Sequence, residues 1–154
     1  MIAVLQRVEN AAVTSDGELT GKIGAGLMIL LGVLDGDGEE DALLLAEKIA
    51  KLRIFTDEAD KMNLSVRDIG GGALVVSNFT LAANYARGNR PDYMNAAHPT
   101  VAEPLYRRFV ALLTDRIGEV ATGRFGADMK IAMTADGPVT IVMDSALLRK
   151  GGRQ

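Results

Sequence analysis

A chain of 154 residues that is 48% hydrophobic and 24% charged has the balance of a globular protein, and its length suits one compact domain, expected over residues 1–154. It contains no cysteine and one histidine, His98, which excludes disulfides, thiolate nucleophiles and zinc sites built from cysteines or several histidines. A net charge of −3 leaves any nucleic-acid contact to a local basic patch.

The N-terminus shows no signal-peptide pattern, and the longest apolar run, Gly26–Leu34, is far short of the ~20 residues of a membrane span. A cytoplasmic protein with no membrane partner is expected. Residues 2–14 mix apolar runs with partial alternation and predict a strand. Ser15-Asp16-Gly17-Glu18 supplies turn chemistry, and 18–24 return as a second strand. Residues 26–34 are apolar on both faces, as in a buried central strand, and are bounded by Gly32 and Asp35-Gly36-Asp37-Gly38. That cluster resembles a calcium loop, but Glu40 stands where such a loop needs glycine, so it reads as a turn before an acidic helix start. Leu45, Ile49 and Leu52 repeat at helical spacing and predict a helix over 39–52.

Residues 53–72 read as irregular, and no Lys-Ser/Thr follows Gly70-Gly71-Gly72 to make a phosphate loop. A strand is predicted over 73–81, a polar loop over 84–99, and a second helix over 101–117. Val101, Leu105, Phe109 and Leu112 mark that helix's apolar face. At its start, Thr100 with Glu103 suits a capping box and Pro104 suits the first turn. Residues 118–134 give a turn and a strand (Asp128–Met133), 138–145 a last strand, and 148–154 a loose tail. The sum is one mixed α/β domain with about seven strands and two main helices.

Few groups offer chemistry. His98, in a loop beside Pro99, reads as structural, and Arg107-Arg108 as a solvated helix face. Arg87-Gly88-Asn89-Arg90 sets two cations around a glycine, which suits either a phosphate contact or a mobile polar loop. Ser77-Asn78-Phe79-Thr80-Leu81 ends a strand with two hydroxyls and an amide, and neither hydroxyl has a sequence neighbour able to take its proton. Asp136-Gly137-Pro138 reads either as a hairpin turn or as a rigid element that recognises a ligand by main chain alone. An X-Pro bond takes the cis form for only ~0.5–1 kcal/mol, against ~3 for other residues.

Taken together, Ser77-Asn-Phe-Thr-Leu81 and Asp136-Gly-Pro-Val-Thr140 resemble the two signature motifs of the D-aminoacyl-tRNA deacylases of the D-Tyr-tRNA deacylase type. Met1-Ile-Ala-Val-Leu-Gln-Arg-Val8 is similar to that family's opening. Arg87-Gly-Asn-Arg-Pro91, Ala102-Glu-Pro-Leu-Tyr106 and Thr122-Gly-Arg-Phe-Gly-Ala-Asp-Met129 fall between the motifs in family order. Two positions depart from the pattern: Asn78 stands where the family has Gln, and Ala135 where it has Asn. These departures bear on substrate preference and rate more than on reaction class.

The resemblance implies an α/β fold in which a single-domain ββα three-layer sandwich carries barrel-like mixed and antiparallel sheets and two main helices. It implies hydrolysis of the ester between a D-amino acid and the terminal adenosine of tRNA, with L-aminoacyl-tRNA spared. Glycyl-tRNA mischarged on tRNA-Ala is an expected second substrate, because glycine has no side chain to reject. A homodimer is implied, with the Gly137-Pro138 element of one subunit, in cis, entering the other's site. The implied catalytic residues are Thr80, Phe79, Ser77 and Asn78, and those of the substrate-binding chirality gate are Gly137, Pro138, Arg7, Met129 and Phe125. No metal, cofactor or DNA partner is expected, and the aminoacyl-tRNA 3′ end is the partner. Two rival readings are a noncatalytic tRNA-end binding module and a related editing deacylase with shifted substrate preference. In the catalytic reading, N–H groups around Phe79 and Thr80 stabilise the oxyanion and the ribose 2′-OH orients or activates water. Thr80 then positions substrate or acts as a covalent nucleophile, and the missing base favours positioning.

Overall fold

The computed structural model describes residues 1–149, which form eight strands and two α-helices. Strand β1 (Ile2–Ser15) organises them. Its first half buries Ala3 and Leu5 on the helix-covered face, while Val8, Ala11 and Val13 point into a second core. A register shift between Val8 and Asn10 adds Glu9 to the strand and keeps Val8, Ala11 and Val13 on one face.

Asp16 and Gly17 both have positive φ, 49° and 85°, and turn the chain into β2 (Glu18–Ile23), antiparallel to the far half of β1. β3 (Gly26–Gly32) is antiparallel to the near half. β6 (Gly72–Ser77) runs parallel to β3, and β7 (Val120–Thr122) parallel to β6. Parallel neighbours need crossover connections. One carries α1 (Glu39–Lys51), the other α2 (Pro99–Ile117). A side chain on Gly21 of β2 would place Cβ 2.6 Å from the Thr122 carbonyl oxygen of β7. That close approach brings the ends of the sheet together into a nearly closed barrel.

Val13, Ile23, Met28 and Leu74 fill the barrel, and Leu45, Ile49, Phe109 and Leu113 of the helices pack on its outside against Leu5, Ile29 and Val75. The expected α/β fold with two helices and barrel-like sheets is the one observed, at eight strands rather than about seven. No helix among the described residues is long and apolar enough to cross a membrane.

Several expected boundaries move, each for a local reason. The strand predicted over 73–81 stops at Ser77, because the Asn78 side chain caps a 3-10 turn over Phe79–Ala82. The irregular stretch 53–72 contains a small hairpin, β4 (Phe55–Thr56) with β5 (Met62–Leu64). The second helix opens two residues early, on His98 rather than on a Thr100–Glu103 capping box: His98 Nδ1 accepts the Thr100 N–H at 3.3 Å and Pro99 follows at the first position. Val101 consequently lies outside the buried face, 49% exposed.

The two last strands are one, β8 (Met129–Asp144), and the expected turn at Asp136-Gly137-Pro138 is a bulge within it. β1 offers an unbroken 14-residue edge, so pairing resumes beyond the interruption. Of the tail expected over 148–154, Leu148 and Arg149 are held, their N–H groups donating to the Ser145 carbonyl and the Arg149 guanidinium to Asp41. Residues 150–154 lie outside the described residues.

Candidate functional site

β6 ends at the mouth of a cleft of about 610 Å³ between the sheet, the start of α2 and the β7–β8 connection. Its walls are mainly apolar, with Leu31 and Val33 below, Ala102 and Tyr106 from α2, and Phe125 and Met129 from the connection. Ser77, Asn78 and Phe79 line the cleft where the strand breaks into the 3-10 turn. Tyr106 donates its hydroxyl to the Val75 carbonyl at 2.8 Å and packs against Phe125 at 5.8 Å between ring centroids. Burial pushes the Tyr106 phenol up to about 12, so it is a fixed neutral donor rather than an acid–base group at neutral pH. Phe79 and Tyr93 meet edge to face at the rim, 5.1 Å apart.

The polar chemistry of the turn is held by Asn78. Its Oδ1 accepts both the Thr80 N–H, at 3.2 Å, and the Thr80 hydroxyl. The Thr80 proton therefore faces a neutral amide oxygen, which cannot take it up as a base. The Asn78 N–H donates to the Leu31 carbonyl at 2.8 Å and ties the turn to β3. As first residue of the turn, Phe79 has no upstream carbonyl for its N–H. That N–H has no partner among the described residues.

The second group of expected site residues lies elsewhere in the same chain. Gln6 of β1 faces Thr140 and Val8 faces Ala135, so Arg7 alone stands opposite the four residues Asp136–Val139. Arg7 is buried and grips this bulge. Nε donates to the Asp136 carbonyl at 3.3 Å and pairs with its carboxylate at 3.1 Å, while Nη1 donates to the Ile54 carbonyl at 2.8 Å. The Gly137–Pro138 peptide is cis, and Gly137 has φ 131°, a conformation open to glycine and strained for other residues. Gly137, Pro138 and Ala135 are exposed. Neither Gly137, Pro138 nor Arg7 lines the cleft. The structure thus gathers Ser77, Asn78, Phe79, Phe125 and Met129 around one cleft, with Thr80 on the turn beside it, and sets the bulge apart.

Comparison with known proteins decides the family. Residues 4–144 match the family described as "D-Tyr-tRNA(Tyr) deacylase". The chain belongs to the D-Tyr-tRNA(Tyr) deacylase family. A "D-aminoacyl-tRNA deacylase" of Cereibacter sphaeroides is 59% identical over 145 residues, spanning 94% of this chain and 100% of that protein. One from Chloroflexus aurantiacus is 57% identical, over 97% of this chain and 93% of its own. Among solved structures, the "c-Myc DNA Unwinding Element Binding Protein" is 39% identical with a TM-score of 0.87, over 94% of this chain and 98% of that one. A "probable eukaryotic D-amino acid tRNA deacylase" shares the fold, with a TM-score of 0.78 at 18% identity over 92% and 97% of the two chains.

Set in this deacylase family, the cleft also contains residues that pattern reading assigned no part. His98 lines it as well as capping α2, Tyr93 stands at its rim and Tyr106 in its wall. Tyr106 had a signal in Ala102-Glu-Pro-Leu-Tyr106, a segment that resembles the family. Tyr93 had none, since it stands in a polar loop with no periodicity.

Proposed function

We propose that this chain hydrolyses the ester that joins a D-amino acid to the terminal adenosine of tRNA. The observation that carries the reading is the strand-to-turn junction at Ser77–Thr80, which sets an N–H with no partner among the described residues and a capped hydroxyl at the lip of an apolar cleft. An aminoacyl ester is already activated, so catalysis rests on holding it and on stabilising the oxyanion.

Water adds to the ester carbonyl, and the negative charge that forms on the carbonyl oxygen is met by the Phe79 N–H. The Thr80 N–H joins it by giving up its long bond to Asn78. The vicinal ribose hydroxyl passes a proton from the water to the departing ribose oxygen. The C–O bond breaks, and free amino acid and tRNA leave. In this scheme Thr80 orients substrate, since no base faces its hydroxyl. Phe125 and Met129 enclose the adenosine end.

Selectivity is assigned to main chain. Gly137 and Pro138 are exposed on β8, whose sole pairing neighbour among the described residues is β1, and the exposed Met133 and Val142 flank them on the same strand. These features favour a homodimer in which the bulge of one copy enters the cleft of the other. There its carbonyls take the α-ammonium and fix the α-carbon so that an L-side chain meets a wall while a D-side chain points outward. Glycyl-tRNA mischarged on tRNA-Ala passes the same filter, having no side chain to reject. The bulge is rigid because Arg7 ties it to Ile54. We assign this activity to one domain acting in the cytoplasm.

The test is hydrolysis of D-Tyr-tRNA, Gly-tRNA and L-Tyr-tRNA by the purified protein. Cleavage of the first two with the third spared is expected. Binding without cleavage marks a tRNA-end binding module, and cleavage of L-Tyr-tRNA at a matching rate marks an editing enzyme of other specificity.

A further inference from the structure

Beside the cleft lies a second groove of about 510 Å³, between α2 and the β7–β8 connection. Tyr106 and Phe125 line both, so they form a shared wall. Val110 and Ala111 give the groove an apolar floor, and Arg107 and Arg124 reach into it from opposite sides. Each guanidinium has one carboxylate partner. Arg107 Nη2 meets Glu103 at 2.7 Å, and Arg124 Nη2 meets Glu18 at 2.9 Å. All four side chains are exposed, Glu103 least. Exposed pairs of this kind hold little free energy, and a guanidinium has five N–H donors, so either can turn to a phosphate. The Arg124 backbone N–H donates to Ser15 Oγ at 3.1 Å, which anchors the base of that side chain.

We propose that this groove holds the nucleotide preceding the terminal adenosine, with its phosphodiester between Arg107 and Arg124 and its base against the apolar floor. The proposal rests on the reading of the neighbouring cleft as the site of the D-aminoacyl-adenosine end. RNA is covalently continuous, so a groove that shares a wall with the cleft lies within reach of the nucleotide next to an adenosine held there. The groove across the shared wall is lined by two cations and has the volume of a small ligand site. With a net charge of −3 the protein has no general attraction for a polyanion, and the affinity must come from a local pair of this kind. Arg87 and Arg90, a second local pair, lie on the exposed 84–95 loop and line neither recess.

The experiment compares D-tyrosyl-tRNA with D-tyrosyl-adenosine, which carries the ester and no phosphate. In the double variant Arg107→Gln with Arg124→Gln, KM for D-tyrosyl-tRNA is expected to rise about tenfold or more. The slope of log KM against log salt is expected to flatten by about 0.7, the value for one phosphate contact on a single strand. The ratio of kcat/KM on tRNA to that on the adenosine ester falls accordingly. The Lys-for-Arg double variant restores the salt slope, which separates charge from packing. Equal losses on both substrates, no loss on tRNA, or a loss that instead follows Arg87→Gln with Arg90→Gln overturns the proposal. Failure of the unaltered protein on both esters would instead overturn the deacylase reading itself.

Discussion

Phe79 shows 61% of its surface to solvent, so its place in the site rests on its N–H more than on its ring. Proline at this position deletes that N–H while suiting the first residue of a helical turn, and Asn78 is extended rather than helical (φ −147°, ψ 93°), so only a modest rise in ψ accommodates a following proline. Phe79→Pro is therefore expected to keep the fold and lower kcat by about 10²–10³, the usual cost of one oxyanion donor. Phe79→Ala, which keeps the N–H, loses far less; equal losses in the two variants would remove the N–H from the mechanism. Thr80→Ala leaves both N–H groups in place and is expected to cost less than the ~10²-fold that marks acid–base participation. Loss of nearly all hydrolysis would restore Thr80 as nucleophile.

Tyr106 offers a test of pH. Its phenol holds its proton more tightly when folded, about 12 against an ordinary 10.0. Between these values the folded state binds more protons than the unfolded chain. The stabilisation is complete below pH 10 and is lost as pH rises toward 12, at ~1.4 kcal/mol per pH unit. Urea unfolding of Tyr106→Phe is expected to lack this alkaline component. At pH 7 the variant loses about 1 kcal/mol, because the Val75 carbonyl keeps the Gly123 N–H at 3.4 Å. An unchanged alkaline slope would contradict the assignment.

At the scale of elements, the bulge in β8 depends on Arg7. Its bond to the Ile54 carbonyl matters more than the ion pair with Asp136, whose side chain is 47% exposed. Arg7→Ala leaves the carbonyl of buried Ile54 without its partner, and a stability loss of about 1–3 kcal/mol is expected in chemical denaturation. The preference for D- over L-aminoacyl-tRNA should fall with it. A variant with full selectivity would separate Arg7 from the gate.

The same element shows where sequence reading ran out. Gly-Pro after Thr-Ala-Asp has the chemistry of a turn, and nothing local says that pairing with β1 resumes at Thr140, two residues past the proline. That depends on the length of the partner strand, a tertiary fact. β7, at three residues, is too short to show a period, and the strand end at Ser77 was hidden because Phe79 and Thr80 are good strand residues that a side-chain cap overrules. β1, β3 and both helices were legible, since each carries a long apolar pattern that burial reinforces.

For the whole molecule, the family was legible because six segments spread over the chain occur in one order, which no single motif could establish. The cleft was legible in part: the strand end and Phe125–Met129 came from resemblance, whereas Tyr93 and the second groove emerge only when α2 and the β7–β8 connection are brought together. The proposed homodimer divides the labour between two copies, a catalytic turn in one and a bulge in the other. Phe79→Pro disables the first. Gly137→Ala disables the second, since its Cβ would lie 2.6 Å from the Val139 nitrogen at a φ of 131°.

Mixing the two inactive variants in equal amounts, with subunit exchange, and assaying D-Tyr-tRNA tests this division directly. Half the dimers are then mixed, and each has one site in which an intact cleft meets an intact bulge. The account predicts about a quarter of the unaltered activity, with L-Tyr-tRNA still spared. A mixture no more active than the sum of its parents, with exchange verified, would contradict it.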